Sequence, residues 1–310
     1  MWPGRSNKPR LNAMRLQELE RRLSPSPLIR IEDTLLREQG VELWLKRDDL
    51  LHPVISGNKW RKLKYILNHA LSLGCRRIIS MGGAYSNHLH ALAYAGKLLG
   101  VETSAFIRGE RPETFSPTLK DIRHWGMDLN FVSRGDYREL RSYKRHDSLP
   151  GLSAGEYWLP EGGSTDLALQ GVAEIVGEID RDYDVLCAPC GTGTTLAGLI
   201  AAVPEAVEVI GIAALKGADF LYDDVSALLP DGVRTSWKIE LDFHFGGFAK
   251  RNDLLCDFID HFEKRQGIAL EPVYTGKMLF ALYHLIEQGC FSAGQRIIAV
   301  HTGGLQGRRH

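Results

Sequence analysis

From about residue 42 onward, short apolar runs alternate with longer stretches in which apolar residues recur every three or four positions. Runs of the first kind fit buried strands and runs of the second kind fit amphipathic helices, so their alternation predicts βαβ units and a mostly parallel sheet. Strands are predicted at VELWLK, RRIISM, TSAFIR, DLNFVS, EYWLP, DVLCAP, VEVIGIA and RIIAVH. Helical periodicity runs through NKWRKLKYILNHALSLG, NHLHALAYAGKLLG, SPTLKDIRHWG and DLALQGVAEIVGEID, several of which end at glycine, the residue favoured just past a helix terminus. TSWKIELDFHF alternates like a strand ahead of the helix NDLLCDFIDHFEKRQG, and the polar RELRSYKRHDSLPG predicts a helix and connection at one edge. The fold class expected is α/β, with two open, doubly wound, mostly parallel sheets. Residues 1–54 and 161–310 are expected to form a large domain and 55–160 a small one, with a cleft where the chain leaves and re-enters the large domain. There is no internal repeat or low-complexity segment.

A chain of 310 residues is long enough for a substantial core and for two domains. Its 38 basic residues balance 38 acidic ones, which argues against a nucleic-acid partner, since phosphate neutralisation demands a basic excess. No apolar run approaches the roughly 20 residues of a membrane-spanning helix, and MWPGRSNKPR contains no apolar leader core, so the expected location is the cytoplasm. Five cysteines are too few and too scattered for a disulfide framework, and reduced thiols are expected. The pair Cys187-Ala-Pro-Cys190 has redox or zinc spacing, but it ends an apolar strand and has no second CxxC or HxxxH partner. Packing is the expected role of both thiols, and no metal site is expected.

Chemistry gathers at four glycine-marked segments that follow strand ends, where open α/β sheets bind ligands. Ser56-Gly57-Asn58-Lys59-Trp60-Arg61-Lys62 opens a helix. An ammonium there faces the positive end of the helix dipole, and Arg61 and Lys62 add repulsion, conditions that favour a neutral, nucleophilic amine. A solvated basic helix start would read the same way. Gly82-Gly83-Ala84-Tyr85-Ser86-Asn87-His88 offers Ser86 or Asn87 as a helix cap and free N–H groups for an anion such as a carboxylate. Cys190-Gly191-Thr192-Gly193-Thr194-Thr195 brings backbone and hydroxyl donors to a helix start, without the GK[ST] ending of a nucleotide loop or the GxGxxG spacing of a dinucleotide fold, so a compact monophosphate fits it better. Glu271-Pro272-Val273-Tyr274-Thr275-Gly276-Lys277 precedes MLFALYHLIEQG, and His301-Thr302-Gly303-Gly304 follows the last strand.

In order, GNKWRKLKY, GGAYSNH, EGGST, CGTGTTLAGL, EPVYTGK and HTGG resemble the aminocyclopropane-carboxylate deaminase and D-cysteine desulfhydrase family, of the tryptophan-synthase-β-like pyridoxal-phosphate enzymes. The resemblance runs from about Pro27 to Gly304. It implies pyridoxal 5′-phosphate as cofactor, bound in the cleft between the domains as a Schiff base on Lys59, which also shuttles the proton. It implies that Lys62 contacts the cofactor phosphate, that Asn87 bonds its 3′-oxygen, and that Ser86 holds the substrate carboxylate or takes part in proton transfer. Thr192, Gly193, Thr194 and Thr195 would form the phosphate cup, Tyr274 would face the substrate, and Thr275 would sit near the pyridine nitrogen. A small amino-acid substrate and a homodimer are also implied.

Members that open the cyclopropane ring resemble one another in carrying glutamate at the position of Thr275. A hydroxyl cannot hold the ring nitrogen protonated, and the weaker electron sink suits loss of an acidic α-proton with a good β-leaving group. The expected reaction is a lyase-type deamination, most specifically conversion of D-cysteine to pyruvate, ammonia and sulfide. The alternatives are 1-aminocyclopropane-1-carboxylate deamination and a non-catalytic pyridoxal-phosphate-binding protein. Three features depart from the family pattern: Tyr85 in place of glutamine, Phe248 in FGGFAK in place of a second tyrosine, and the short ending LQGRRH.

Overall fold

The computed structural model describes residues 8–23 and 25–309. Residues 1–7, on which most of the expectation about a leader rests, lie outside them. The strands in chain order are β1 (Leu28–Ile31), β2 (Glu42–Lys46), β3 (Arg77–Gly82), β4 (Glu102–Arg108), β5 (Asp128–Val132), β6 (Glu156–Trp158), β7 (Val185–Cys190), β8 (Glu208–Ala213), β9 (Trp237–Glu240) and β10 (Arg296–Val300). The helices are α1 (Lys8–Arg22), α2 (Thr34–Glu38), α3 (Asn58–Ser72), α4 (Asn87–Leu99), α5 (Pro117–His124), α6 (Arg134–Leu140), α7 (Asp166–Gly177), α8 (Thr194–Ala202), α9 (Phe220–Ser226), α10 (Asp253–Gln266) and α11 (Thr275–Glu287).

Two sheets result, one of six strands in the order β1-β2-β10-β7-β8-β9 and one of four in the order β5-β4-β3-β6. Among the described residues, every strand pairing is parallel except that of β1 with β2. Parallel strands are covered by helices on both faces, which explains why β7, β8 and β10 are nearly continuous apolar runs. Leu43, Leu45, Val185, Ile210, Ile297 and Ala299 are fully buried beneath α10 and α11. Complete burial of one such Leu, Ile or Val side chain contributes about 1.5–3 kcal/mol. On the four-stranded sheet, Ile78, Ala105 and Ile107 meet Leu89, Leu92 and Leu119 of α4 and α5.

All eight parallel-sheet runs read from the sequence form strands, and the eleven residues between β2 and α3 include a short helical turn at Asp48–Leu50. The strand read in TSWKIELDFHF ends at Glu240, because Phe245 has a left-handed backbone (φ 53°) and the glycines after it turn the chain away. α1, β1, α2 and α9 were not among the elements read from the sequence.

Cys187 and Cys190 lie three residues apart on β7, so they project from opposite faces and join different apolar clusters. Burial raises both thiol pKa values, that of Cys190 to about 12. The pair packs as the sequence suggests.

Candidate active site

α3 starts where the two sheets meet, and its first turn divides two kinds of work. Gly57 has φ 63°, and a Cβ there would overlap Thr302 O at 1.9 Å, so only glycine lets this turn lie against the loop after β10. Asn58, Lys59 and Lys62 then line a cleft of about 780 Å³. Arg61 lies two residues past Lys59, about 200° around the helix, and points the other way. Its guanidinium bonds Asp48 at 3.1 Å and Glu178 at 2.5 and 2.7 Å. Lys46 Nζ donates to the same Glu178 at 2.6 Å, and Ser26 Oγ donates to Asp48 at 2.5 Å. Arg61 is therefore neutralised on the far side of α3, which corrects the expectation that it repels the Lys59 ammonium.

Lys59 is nonetheless shifted. Burial lowers its pKa to about 8, and the Glu271 carboxylate opposes that shift. Its Nζ donates to Asn58 Oδ1 at 2.6 Å, while Asn58 Nδ2 donates to Thr195 Oγ1 at 2.9 Å. Asn58 thus couples the lysine to the threonine loop, a role invisible in the sequence because Thr195 lies 137 positions away. Lys62 Nζ donates to Gly162 O at 3.0 Å, and its pKa is lowered by burial and then by Lys59. EGGST thereby enters the site through a backbone carbonyl.

The loop after β7 places Gly193 (φ 74°) at the cap of α8, where a Cβ would strike Val225 at 2.8 Å. Thr192, Gly193 and Thr195 line the cleft; Thr194 is fully buried, and its hydroxyl pairs with that of Thr192 at 3.2 Å. Only its backbone N–H, at the start of α8, is suited to the expected cup. The Oγ1 of Thr195 accepts from Asn58, which leaves its own proton free to donate.

Ser86 caps α4, accepting from Leu89 N at 3.2 Å, and both Ser86 and Asn87 line the cleft. Asn87 Oδ1 accepts from Gln306 Nε2 at 2.8 Å, and Arg309 forms an ion pair with Asp121. The short ending of the chain therefore folds over the α4 side of the cleft. His88 Nε2 lies 2.9 Å from Ser80 Oγ, whose proton goes to Leu159 O at 2.8 Å. The imidazole must then carry its proton on Nε2, leaving Nδ1 as a buried acceptor without a partner among the described residues. Burial, Lys62 and Lys59 together push its pKa to about 3, so it is neutral.

The remaining wall comes from the start of α11. Tyr274 lines the cleft, so close to Gly191 that a Cβ there would meet the ring at 3.0 Å. Glu271 also lines it, and the sequence reading gave that residue no role. Its carboxylate accepts from Val273 N at 2.7 Å, from Tyr274 N at 2.9 and 3.0 Å, and from Thr275 N at 2.5 Å. Thr275 Oγ1 donates to it at 3.0 Å. Thr275 is fully buried and is not among the cleft-lining residues, so its hydroxyl acts on Glu271 rather than facing the cleft directly. At the mouth, Tyr85 and Phe248 are about half exposed, and Phe248 meets Tyr274 edge-on with ring centroids 6.0 Å apart.

The site can hold an anion at α8, keep beside it an amine that gives up its proton more readily than an ordinary lysine, and seat a small molecule between Ser86 and Tyr274. Comparison with known proteins agrees with that chemistry. A family model described as "Pyridoxal-phosphate dependent enzyme" matches residues 19–303. The chain is 30% identical to a bifunctional D-cysteine desulfhydrase/1-aminocyclopropane-1-carboxylate deaminase of Arabidopsis thaliana, over 86% of this chain and 73% of that one. It is 27% identical to a D-cysteine desulfhydrase of Salmonella paratyphi A, over 86% and 87%. A solved structure titled as an ACC deaminase homologue superposes with a TM-score of 0.77 at 28% identity, covering 96% of each chain. With the family model spanning most of its length, the chain belongs to the pyridoxal-phosphate-dependent enzymes, in the branch that holds 1-aminocyclopropane-1-carboxylate deaminase and D-cysteine desulfhydrase.

Proposed function

We propose that the protein eliminates sulfide and ammonia from D-cysteine, giving pyruvate, with Lys59 as the residue that holds the cofactor covalently and moves the proton at the substrate Cα. The donor set suits the cofactor: Lys62, the Thr192 and Thr195 hydroxyls and the first N–H groups of α8 suit a phosphate, and Asn87 suits a ring hydroxyl. Bound there, pyridoxal phosphate supplies an electron sink for a substrate carbanion. Ser86 and the start of α4 hold the substrate carboxylate, and Tyr274 packs over the substrate side chain.

One observation carries the choice of reaction. The Glu271 carboxylate is committed to three backbone N–H groups and the Thr275 hydroxyl, so it closes the end of α11 instead of holding a proton on the ring nitrogen. A neutral ring nitrogen is the weaker sink, which suffices when an acidic Cα proton and a sulfide leaving group are available. Cyclopropane opening offers no α-proton and needs the stronger sink. The expected kcat/KM for D-cysteine, read as pyruvate and sulfide release, exceeds that for the cyclopropane substrate, read as 2-oxobutyrate, by about tenfold or more. A wild-type preference for the cyclopropane substrate overturns the proposal in favour of the deaminase reading. The proposal carries with it a homodimer, which sedimentation of the cofactor-loaded protein would detect.

Thr195→Val tests the phosphate cup. It removes a hydroxyl positioned by Asn58, and a hydrogen bond to a charged group is worth about 1.5–3 kcal/mol, so the cofactor Kd should rise roughly ten- to a hundredfold while turnover at saturating cofactor changes little. An unchanged Kd would assign the loop to packing alone.

A further inference from the structure

The connection from β9 to α10 crosses the mouth of the cleft, where Phe248, Ala249 and Arg251 line it. Its backbone is held in an unfavourable shape: Phe245 (φ 53°), Gly246 (95°), Gly247 (125°) and Ala249 (56°) all have positive φ, although two of them carry side chains. Hydrogen bonds within the loop are short-range, from Gly247 N to His244 O at 3.0 Å and from Lys250 N to Gly247 O at 3.1 Å. Phe245 packs edge-on against Phe280 of α11 at 4.9 Å. Among the described residues, the hydrogen bonds that tie the backbone of 244–249 to the body of the protein both come from Lys277.

Lys277 lies on α11 one turn beyond Tyr274 and is fully buried. Its Nζ donates to His244 O at 2.8 Å, to Gly247 O at 2.9 Å and to Ala214 O, just past β8, at 3.3 Å. Three carbonyls match the three donors of an ammonium. Burial draws its pKa down to about 8 while Glu271 opposes that shift, so the group is predominantly charged at neutral pH. A desolvated cation ringed by backbone carbonyls, at the junction of a strand end, a helix start and a loop of unfavourable φ, has the chemistry of a bound monovalent metal ion.

We propose that Lys277 is a built-in cation that pins the 244–249 loop as a lid over the cleft and keeps Phe248 against Tyr274. It is a positioning residue, acting through the loop and through Phe248. Without the ammonium, the carbonyls would face one another unpaired and the backbone would relax toward negative φ, carrying Phe248 away. The inference uses the cleft described above but does not depend on which amino acid is the substrate.

The test is hydrogen exchange of the peptide spanning 241–252 in cofactor-loaded wild type, Lys277→Met and Lys277→Gln, compared in potassium, ammonium and tetramethylammonium chloride at equal ionic strength. In tetramethylammonium, whose ion is too large for the cage, Lys277→Met should exchange about tenfold faster than wild type across this segment, with β7 and β10 unchanged. Potassium or ammonium should return it toward the wild-type rate, while wild type responds to none of the three salts. Lys277→Gln, which keeps two N–H donors, should fall between and carries the comparison if the methionine variant does not fold. Unchanged exchange in 241–252, an increase spread over the whole chain, a loss without any response to potassium or ammonium, or failure of both variants to fold would each overturn the proposal and leave Lys277 as a packing residue. Because no substrate is used, a negative result here is separable from a negative result in the D-cysteine assay.

Discussion

Lys59→Ala is expected to abolish covalent cofactor retention and to lower turnover by at least about a thousandfold, with little change in fold stability. The size follows from two roles in one amine. It captures the cofactor, and it moves the Cα proton; proton transfer by a positioned side chain contributes about 10²–10⁴ on its own. Burial lowers the Lys59 pKa to about 8, whereas an ordinary lysine stays protonated until about 10.5. The capture rate in apo-protein should therefore rise with pH to a midpoint near 8, as the neutral amine forms. Borohydride treatment followed by peptide mapping checks the assignment directly. A label on Lys62 or Lys277, or a midpoint near 10.5, would refute it.

Asp48→Asn should cost about 3–5 kcal/mol of folding stability, more than any single change on the cleft wall. Asp48 is completely buried, with its carboxylate on Arg61 and on the Ser26 hydroxyl, and its backbone carbonyl accepts from Gly57 N at 3.0 Å. The isosteric amide keeps the volume but leaves the Arg61 guanidinium with Glu178, which already serves Lys46. An undercompensated buried charge is among the more expensive single defects a core can carry. Urea unfolding measures this as a lower midpoint at unchanged slope. A loss of under about 1 kcal/mol would mean that Glu178 alone satisfies Arg61.

The central strands β7, β8 and β10 were legible because both of their faces are covered, so their residues are almost all apolar. β1 was not legible: LIRI is four residues long with a charged residue in the middle, as befits an antiparallel edge. α1, with five basic and two acidic residues among fifteen, shows too little apolar face to stand out. At the site, the sequence displayed Lys59, Lys62, Ser86, Asn87 and the threonine loop, since each sits in a glycine-marked turn. It could not display what depends on distant partners. The direction of Arg61 is set by Asp48 and Glu178, the bridging role of Asn58 by Thr195, and the capture of Glu271 by the backbone of the turn that follows it. Thr275 shows the same limit: its buried hydroxyl meets Glu271, a contact that the sequence alone could not display.

The first turn of α3 also sets how this protein can change over generations. One face, carrying Asn58, Lys59 and Lys62, lines the cleft, and in the proposed function it serves catalysis; the opposite face, where Arg61 meets Asp48 and Glu178, is a buried ion-pair cluster expected to serve stability. Neighbouring codons therefore answer to different selective pressures. A lineage that lost Lys59 would keep a folded scaffold with its anion cup intact, available for recruitment as a sensor or carrier. A lineage that lost Asp48 would first need compensating changes around Arg61 before any new activity on the other face could be selected.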